Sequence, residues 1–438
     1  MIMQYATNTL EHHWMPFTAN KSFKDNPKLI VRAQGMYCWD QTGHKIMDGC
    51  SGLFCVSAGH GRSEIREAVA NILDEIDYVP HFSFGHPSSY ELARRISGIT
   101  PDDLNHIFFC NSGSESVDTA LKIALAYHHA RGDAQRVRFV GRERAYHGVN
   151  FGGLSVGGMI KNREVFGVCL PGVVHMRHTW TPEQRFSVGQ PEKGAELAED
   201  LQRIVDTFGA GSIAAVIVEP IAGSTGILVA PKGYLQRLRE ICDETGILLI
   251  FDEVKTGYGR TGKAFASQSF GVTPDIMTMA KAIANGVIPM GAVAVRDGIY
   301  ETITDAAPEG ATEFFHGYTY SANPAACAAG LAAIDIYENE GLFERAGALS
   351  PYFLEQMFAL QELPGIYDIR GYGLLAGIEL TPGDKIGAKG HDALQKLFAA
   401  GLLVRAPGDT LVLAPPLIAE ESHIDEMCAL LRQVLGAL

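Results

Sequence analysis

Residues 247–286 read ILLIFDEVKTGYGRTGKAFASQSFGVTPDIMTMAKAIANG. Two short apolar runs in this stretch each end on a charged residue: ILLIF runs into Asp252 and IMTMA into Lys281. Runs this short and this uniformly apolar predict strands buried on both faces, the pattern of a parallel sheet. A carboxylate or an amine at the end of such a strand must meet water or a partner. The carboxyl ends of parallel strands are also where ligands collect in such folds.

The same alternation extends upstream. LNHIFFCN (104–111), RVRFVG (136–141), IAAVIVEP (213–220) and GAVAVR (291–296) read as further strands, and SGSESVDTALKIALAYHHARG (112–132) and GYLQRLREICDETG (233–246) as helices. Strands alternating with helices predict an α/β fold around a mostly parallel central sheet. The ends of the chain differ. Residues 27–49, PKLIVRAQGMYCWDQTGHKIMDG, read as short strands with turns, and SEIREAVANILDEIDY (63–78) as an amphipathic helix. After the long helix ANPAACAAGLAAIDIYENEG (322–341) come short strands in PGIYDIRGYGLLAGIEL and LLVRAPGDTLVLAPPL, mixed with helices. These predict a smaller α+β domain drawn from both ends, residues 1–56 and 323–438, around a large domain at 57–322. The polar stretch TPEQRFSVGQPEKGAEL (181–197) reads as a surface loop.

With 438 residues, 47% hydrophobic and 20% charged, the chain has enough apolar material for a sizeable core. Its formal net charge of -14 opposes a nucleic-acid partner. No apolar run is long enough for a bilayer, and MIMQYATNTLEHHWMPF at the start carries no signal-peptide pattern. The eight cysteines include no CxxC pair, so reduced thiols in a cytoplasmic protein are expected, with no metal. Cys50 and Cys55 are the nearest pair and lack a second ligand pair.

Lys281 is the first candidate for chemistry. At a strand end against apolar neighbours its amine would have a lowered pKa and attack an aldehyde readily. A strand-end lysine judged alone is usually just a surface residue. Asp252 changes that balance. Pyridoxal chemistry needs an amine to bond the cofactor and an acid to keep its ring nitrogen protonated. Ser112-Gly113-Ser114-Glu115 stands between a strand and a helix. Ser112 and Glu115 have capping-box spacing, a common structural device, and the free N–H groups at such a helix start also suit a phosphate. Tyr146 in a loop could stack on a flat ring. Thr319 precedes a helix and could bond a phosphate, and Glu219 is another strand-end acid. Lys255 competes with Lys281 for the role of bonding lysine; its place in a Gly-rich turn predicts solvent access and a lesser role.

Taken together, NSGSES, ERAYHG, VIVEP, FDEVKTGYGRTG, MAKAIANG and GYTYSANP follow the order of the class III, or omega, aminotransferases, and the chain resembles that family over nearly its whole length. HHWMPFTAN, TALKIALAYHHARG and PKGYLQRLR bring it nearest to the beta-alanine (omega-amino acid):pyruvate branch. The resemblance implies a fold-type I enzyme using pyridoxal 5'-phosphate, assembled as a homodimer or homotetramer with active sites at subunit interfaces. It implies Lys281 as the cofactor-bonding lysine and Asp252 as the ring-nitrogen carboxylate. Val254 and Tyr146 would flank the ring. Gly113 and Ser114 would hold the phosphate together with a neighbour's Thr319, and Glu219 would support the cofactor indirectly. Arg405 would receive the substrate carboxylate.

The implied reaction is ping-pong transfer of an amino group from an omega-amino acid or amine to pyruvate. Other reactions on the same scaffold (aminomutase, epimerase, decarboxylase), or a preference for amines without a carboxylate, are the alternatives. Three positions depart from the family pattern. Phe54 stands where close relatives commonly carry Trp, and Val412 where they carry a polar amide; both positions line the family's substrate pocket. Lys255 replaces a usually apolar or amide residue.

Overall fold

The computed structural model describes residues 7–167 and 169–438; the first six residues of the N-terminal stretch read above lie outside them. The predicted strands assemble into a seven-stranded sheet in the order His106–Cys110, Gly291–Val295, Ile276–Ala280, Leu248–Asp252, Ile213–Val218, Arg138–Arg142, Val174–Met176. Gly291–Val295 runs antiparallel to both neighbours, and the remaining pairings are parallel.

The uniformly apolar strands are buried on both faces because each face has its own helical cover. Ala215, Ile217, Leu248 and Ile250 pack with Val117, Ala120, Leu121 and Ala124 of the helix Gly113–Ala130. Their alternates Val216, Val218, Leu249 and Phe251 pack with Leu235, Leu238 and Ile241 of the helix Tyr234–Thr245. This is the two-residue period of a strand. It sends Asp252 to the same side as Ile250, toward the helix Gly113–Ala130.

The chain ends meet as expected. Ile30–Gln34, Tyr37–Asp40 and Lys45–Asp48 form an antiparallel set, and Leu402–Leu403 joins Lys45–Asp48 in parallel. Ile366–Tyr372, Leu375–Leu380 and Thr410–Leu413 make a separate three-stranded antiparallel sheet. Arg260 binds three parts of the chain together. It is fully buried, and its guanidinium donates to Ser51 Oγ at 2.6 Å, Ser57 Oγ at 3.3 Å and the Ala414 carbonyl at 3.1 Å. Burial lowers its pKa to about 10.

Two expectations are corrected. The stretch 181–197 is not a simple surface loop. It contains the short 3-10 helices Pro182–Gln184 and Ala195–Ala198, buries Gln184 and Leu197, and is tied to the strand Ile366–Tyr372 by Phe186 N donating to Asp368 Oδ1 at 2.7 Å. A helix at Leu342–Phe358, with Pro351 inside it, was not anticipated. All eight cysteines are free thiols. Among the described residues no helix is long and apolar enough to cross a membrane.

Candidate active site

The strand ends Leu248–Asp252 and Ile276–Ala280 lie side by side, with Asp252 opposite Thr278. Asp252 and the residue that follows the second strand, Lys281, therefore reach one cavity. Its walls are Gly113, Ser114, Tyr146, His147, Gly148, Glu219, Asp252, Val254, Lys255 and Lys281. Seven of these had been singled out in the sequence as cofactor or catalytic residues. A larger cleft lined by Ile99, Lys263, Tyr337 and Glu344 holds none of them. The residues singled out for chemistry line the smaller cavity.

Lys281 begins a short 3-10 helix and takes a positive φ of 54°, a conformation costly for a side chain with a Cβ. Asn285 holds the loop: its Oδ1 accepts from Ala58 N at 2.9 Å and its Nδ2 donates to the Gly59 carbonyl at 3.0 Å. Burial drives the Lys281 ammonium below the ordinary lysine range, against the opposing pull of Cys55, Asp252 and Glu219.

Asp252 is buried and fully oriented. His147 Nδ1–H donates to its Oδ2 at 2.8 Å and Val254 N to its Oδ1 at 3.1 Å. His147 Nε2 is buried with no partner among the described residues. Glu219 is committed to backbone: Oε1 accepts from Tyr146 N at 2.9 Å and Oε2 from Gly223 N at 3.1 Å. It thereby fixes the loop that carries Tyr146 and His147.

The helix Gly113–Ala130 opens on this cavity. Ser112 is its N-cap, accepting from Glu115 N at 3.2 Å, so the N–H groups of Gly113 and Ser114 have no acceptor within the helix. A Cβ on Gly113 would stand 2.9 Å from Val254 Cγ1, so only glycine lets this backbone approach so closely. Ser114 Oγ accepts from Val149 N at 3.1 Å and keeps its own proton to donate. Free N–H groups at a helix start, an acid across the cavity, a flat aromatic and a buried amine form a donor set that fits a planar phosphorylated cofactor.

Phe54 is buried at a φ of 63°, and its ring centroid lies 5.6 Å from Lys281 Nζ. Asp48 shapes its turn by accepting from Cys50 N at 3.1 Å and Gly52 N at 2.7 Å. Cys38, Asp48 and His60 are the only metal-compatible cluster among the described residues, and Cys50 and Cys55 are not in it. His60 Nε2 lies 2.8 Å from Asp48 Oδ2, a direct hydrogen bond, closer than two ligands of one ion normally stand.

Other expected residues are placed less directly. Arg405 is exposed and takes no part in any ion pair among the described residues; its backbone bridges Val412. Val412 is buried in the same core cluster as Phe54, and neither is among the residues that line the cavity. Thr319 is exposed, is not among the residues lining the cavity of its own chain, and its carbonyl accepts from Tyr78 Oη at 3.1 Å. Lys255 is the clear correction. It is half-buried on the cavity wall, bonded to Ser224 Oγ, with Nζ 4.9 Å from the Phe54 ring. Sequence reasoning passed over His147 and Ser224. Their bonds to Asp252 and Lys255 span 105 and 31 residues and leave no local signal.

Residues 19–435 match the model of the family "Aminotransferase class-III". The chain belongs to the class III aminotransferases. This aminotransferase is 52% identical over 434 residues to the omega-aminotransferase of Caulobacter vibrioides, covering 99% of each chain. It is 46% identical to the beta-alanine–pyruvate aminotransferase of Pseudomonas aeruginosa, covering 98% of this chain and 96% of the relative. Among solved structures, an (S)-enantioselective omega-transaminase from Thermomicrobium roseum superposes with a TM-score of 0.91 at 35% identity, over 98% of this aminotransferase and 97% of that chain. An amine transaminase from an uncultivated Pseudomonas species, solved in a PLP-bound form, also gives 0.91, at 34% identity over 97% and 98% of the two chains.

Proposed function

We propose that this aminotransferase uses pyridoxal 5'-phosphate held on Lys281 to move the amino group of a beta-alanine-like omega-amino acid or amine to pyruvate, in ping-pong fashion. The observation that carries the reading is the convergence of Lys281, the oriented Asp252 carboxylate and the Gly113–Ser114 helix start on one cavity. The names of the Caulobacter and Pseudomonas relatives support the substrate class.

When bound, pyridoxal phosphate supplies an electron-poor ring that drains charge from the substrate carbon. The chain's own residues do the rest. Asp252, fixed by His147 and the Val254 amide, presents a carboxylate that keeps the ring nitrogen protonated. Gly113 and Ser114 would hold the phosphate, joined by Thr319 of a second subunit, and Val254 and Tyr146 would flank the ring. Lys281, desolvated and therefore easily neutral, takes the proton from the substrate carbon and returns it to the cofactor side, a general acid–base task. Arg405, in no ion pair among the described residues, clamps a substrate carboxylate with its two-pronged guanidinium.

The assembly we propose is a homodimer or homotetramer with shared sites. The division of the chain is a large unit at 57–322 with a small one from 1–56 and 323–438; the pairing of Leu402–Leu403 with Lys45–Asp48 supports it. A donor panel of beta-alanine, gamma-aminobutyrate, taurine, putrescine and an arylalkylamine, each with pyruvate and with 2-oxoglutarate, tests the reaction. Alanine formed from pyruvate in step with loss of the donor is the expected result. Turnover of a donor without any keto acid would point to a different reaction on the scaffold.

A further inference from the structure

Two ammonium groups face the cavity, and the proposed reaction uses only Lys281. Lys255 Nζ lies 4.9 Å from the Phe54 ring centroid, and Lys281 Nζ lies 5.6 Å from the same ring. Both amines therefore flank the same ring. Lys255 Nζ is also 5.9 Å from the Tyr146 ring. Its position is enforced: a Cβ on Gly223 would fall 2.6 Å from Lys255 Cδ, so the glycine makes room for the stem, and Ser224 Oγ accepts from the amine.

What Lys255 lacks among the described residues is a direct ion-pair partner, although the charges of Glu219 and Asp252 favour its ammonium form against burial and Lys281. The nearby acids are occupied: both Glu219 oxygens accept backbone N–H groups, and both Asp252 oxygens are taken by His147 and Val254 N. No carboxylate pairs with Lys255 among the described residues, and Arg405 adds a further positive charge from outside. Burial and the neighbouring Lys281 pull its pKa down to about 7. A buried amine in this condition gains from an anion, which restores the ammonium and fills its empty donor positions.

We infer that Lys255, with Ser224, receives a second anionic group of the substrate, so that the site accepts four- or five-carbon dicarboxylic amino and keto acids, with Arg405 taking the other carboxylate. This rests on the proposed placement of the substrate between Lys281 and Arg405, and extends it. The charge at Lys255 also disfavours a diamine donor, whose far ammonium would meet it.

The test is equilibrium binding of unreactive acids to the holoenzyme by calorimetry, with glutarate as the dicarboxylate and butyrate as the monocarboxylate, in wild type, Lys255→Met and Lys255→Arg. The wild type should bind glutarate roughly tenfold more tightly than butyrate. Lys255→Met should lose that preference while its butyrate affinity stays within about threefold, and Lys255→Arg should keep it. A wild type without the preference overturns the inference whatever the variants do. So does a Lys255→Met protein that keeps it, or one that loses butyrate and glutarate equally. Failure of the transaminase reading would instead appear as no amino transfer with any donor while glutarate binding persists.

Discussion

Asp252 acts through a carboxylate whose two oxygens are each held by one donor, His147 Nδ1 and Val254 N. Asp252→Asn keeps the shape and removes the charge. Cofactor binding should persist while turnover falls at least roughly tenfold, the loss of a charge-assisted hydrogen bond worth about 1.5–3 kcal/mol. Near-normal turnover in that variant would remove Asp252 from the chemistry. Arg405 makes a different prediction because, in the proposed reaction, it would meet only carboxylates. Arg405→Ala should raise the KM for pyruvate and slow the single-turnover reaction of beta-alanine, while sparing a neutral arylalkylamine. Equal slowing of both donors would mean a structural arginine. Lys281, Asp252 and Gly113 were legible in the sequence because each closes or opens a regular element, where residue type and position speak together. His147, Ser224 and the inward turn of Lys255 were not, since they depend on how separate loops meet above the sheet.

Among the elements, the turn that carries Phe54 depends on Asp48, and Asp48 depends on His60. Burial alone would lower the His60 pKa; hydrogen bonds to Asp48 and Cys38 outweigh it and lift the pKa to about 9. A histidine whose folded pKa is raised stabilises fully below its unfolded value of 6.5, and that contribution disappears as pH rises through about 9. His60→Gln should therefore cost on the order of 2 kcal/mol near pH 6, with the partial exposure of the ring already discounted, and little above pH 9.5. Thermal midpoints of the two proteins across that range check it; a gap independent of pH would contradict the charged pair. The regular elements of the central sheet were readable because their apolar runs are continuous. The stretch 181–197 was misread because Gln184 turns inward to donate to the Lys193 carbonyl and the Phe186 N–H, in place of water, satisfies the Asp368 carboxylate. The helix Leu342–Phe358 was obscured by Pro351, which breaks the usual helical signal.

For the molecule as a whole, the alternation of strands and helices was enough to give the α/β sheet, and the ordered motifs gave the family. The assembly is written nowhere in the local pattern except in Thr319, which is exposed and does not line its own chain's cavity. If a second subunit supplies it, Lys281→Ala and Thr319→Ala chains, both weakly active alone, should regain activity when mixed. The hybrid dimer carries both defects in one site and neither in the other. Confirmed hybrids without recovery would contradict shared sites. Two lysines face one cavity, and the proposed reaction requires that Lys281 bonds the cofactor. Borohydride reduction of the holoenzyme followed by peptide mapping decides it. We predict the reduced cofactor on the Lys281 peptide, with Lys255 unmodified. A cofactor found on Lys255 would contradict the assignment from which the proposed reaction follows.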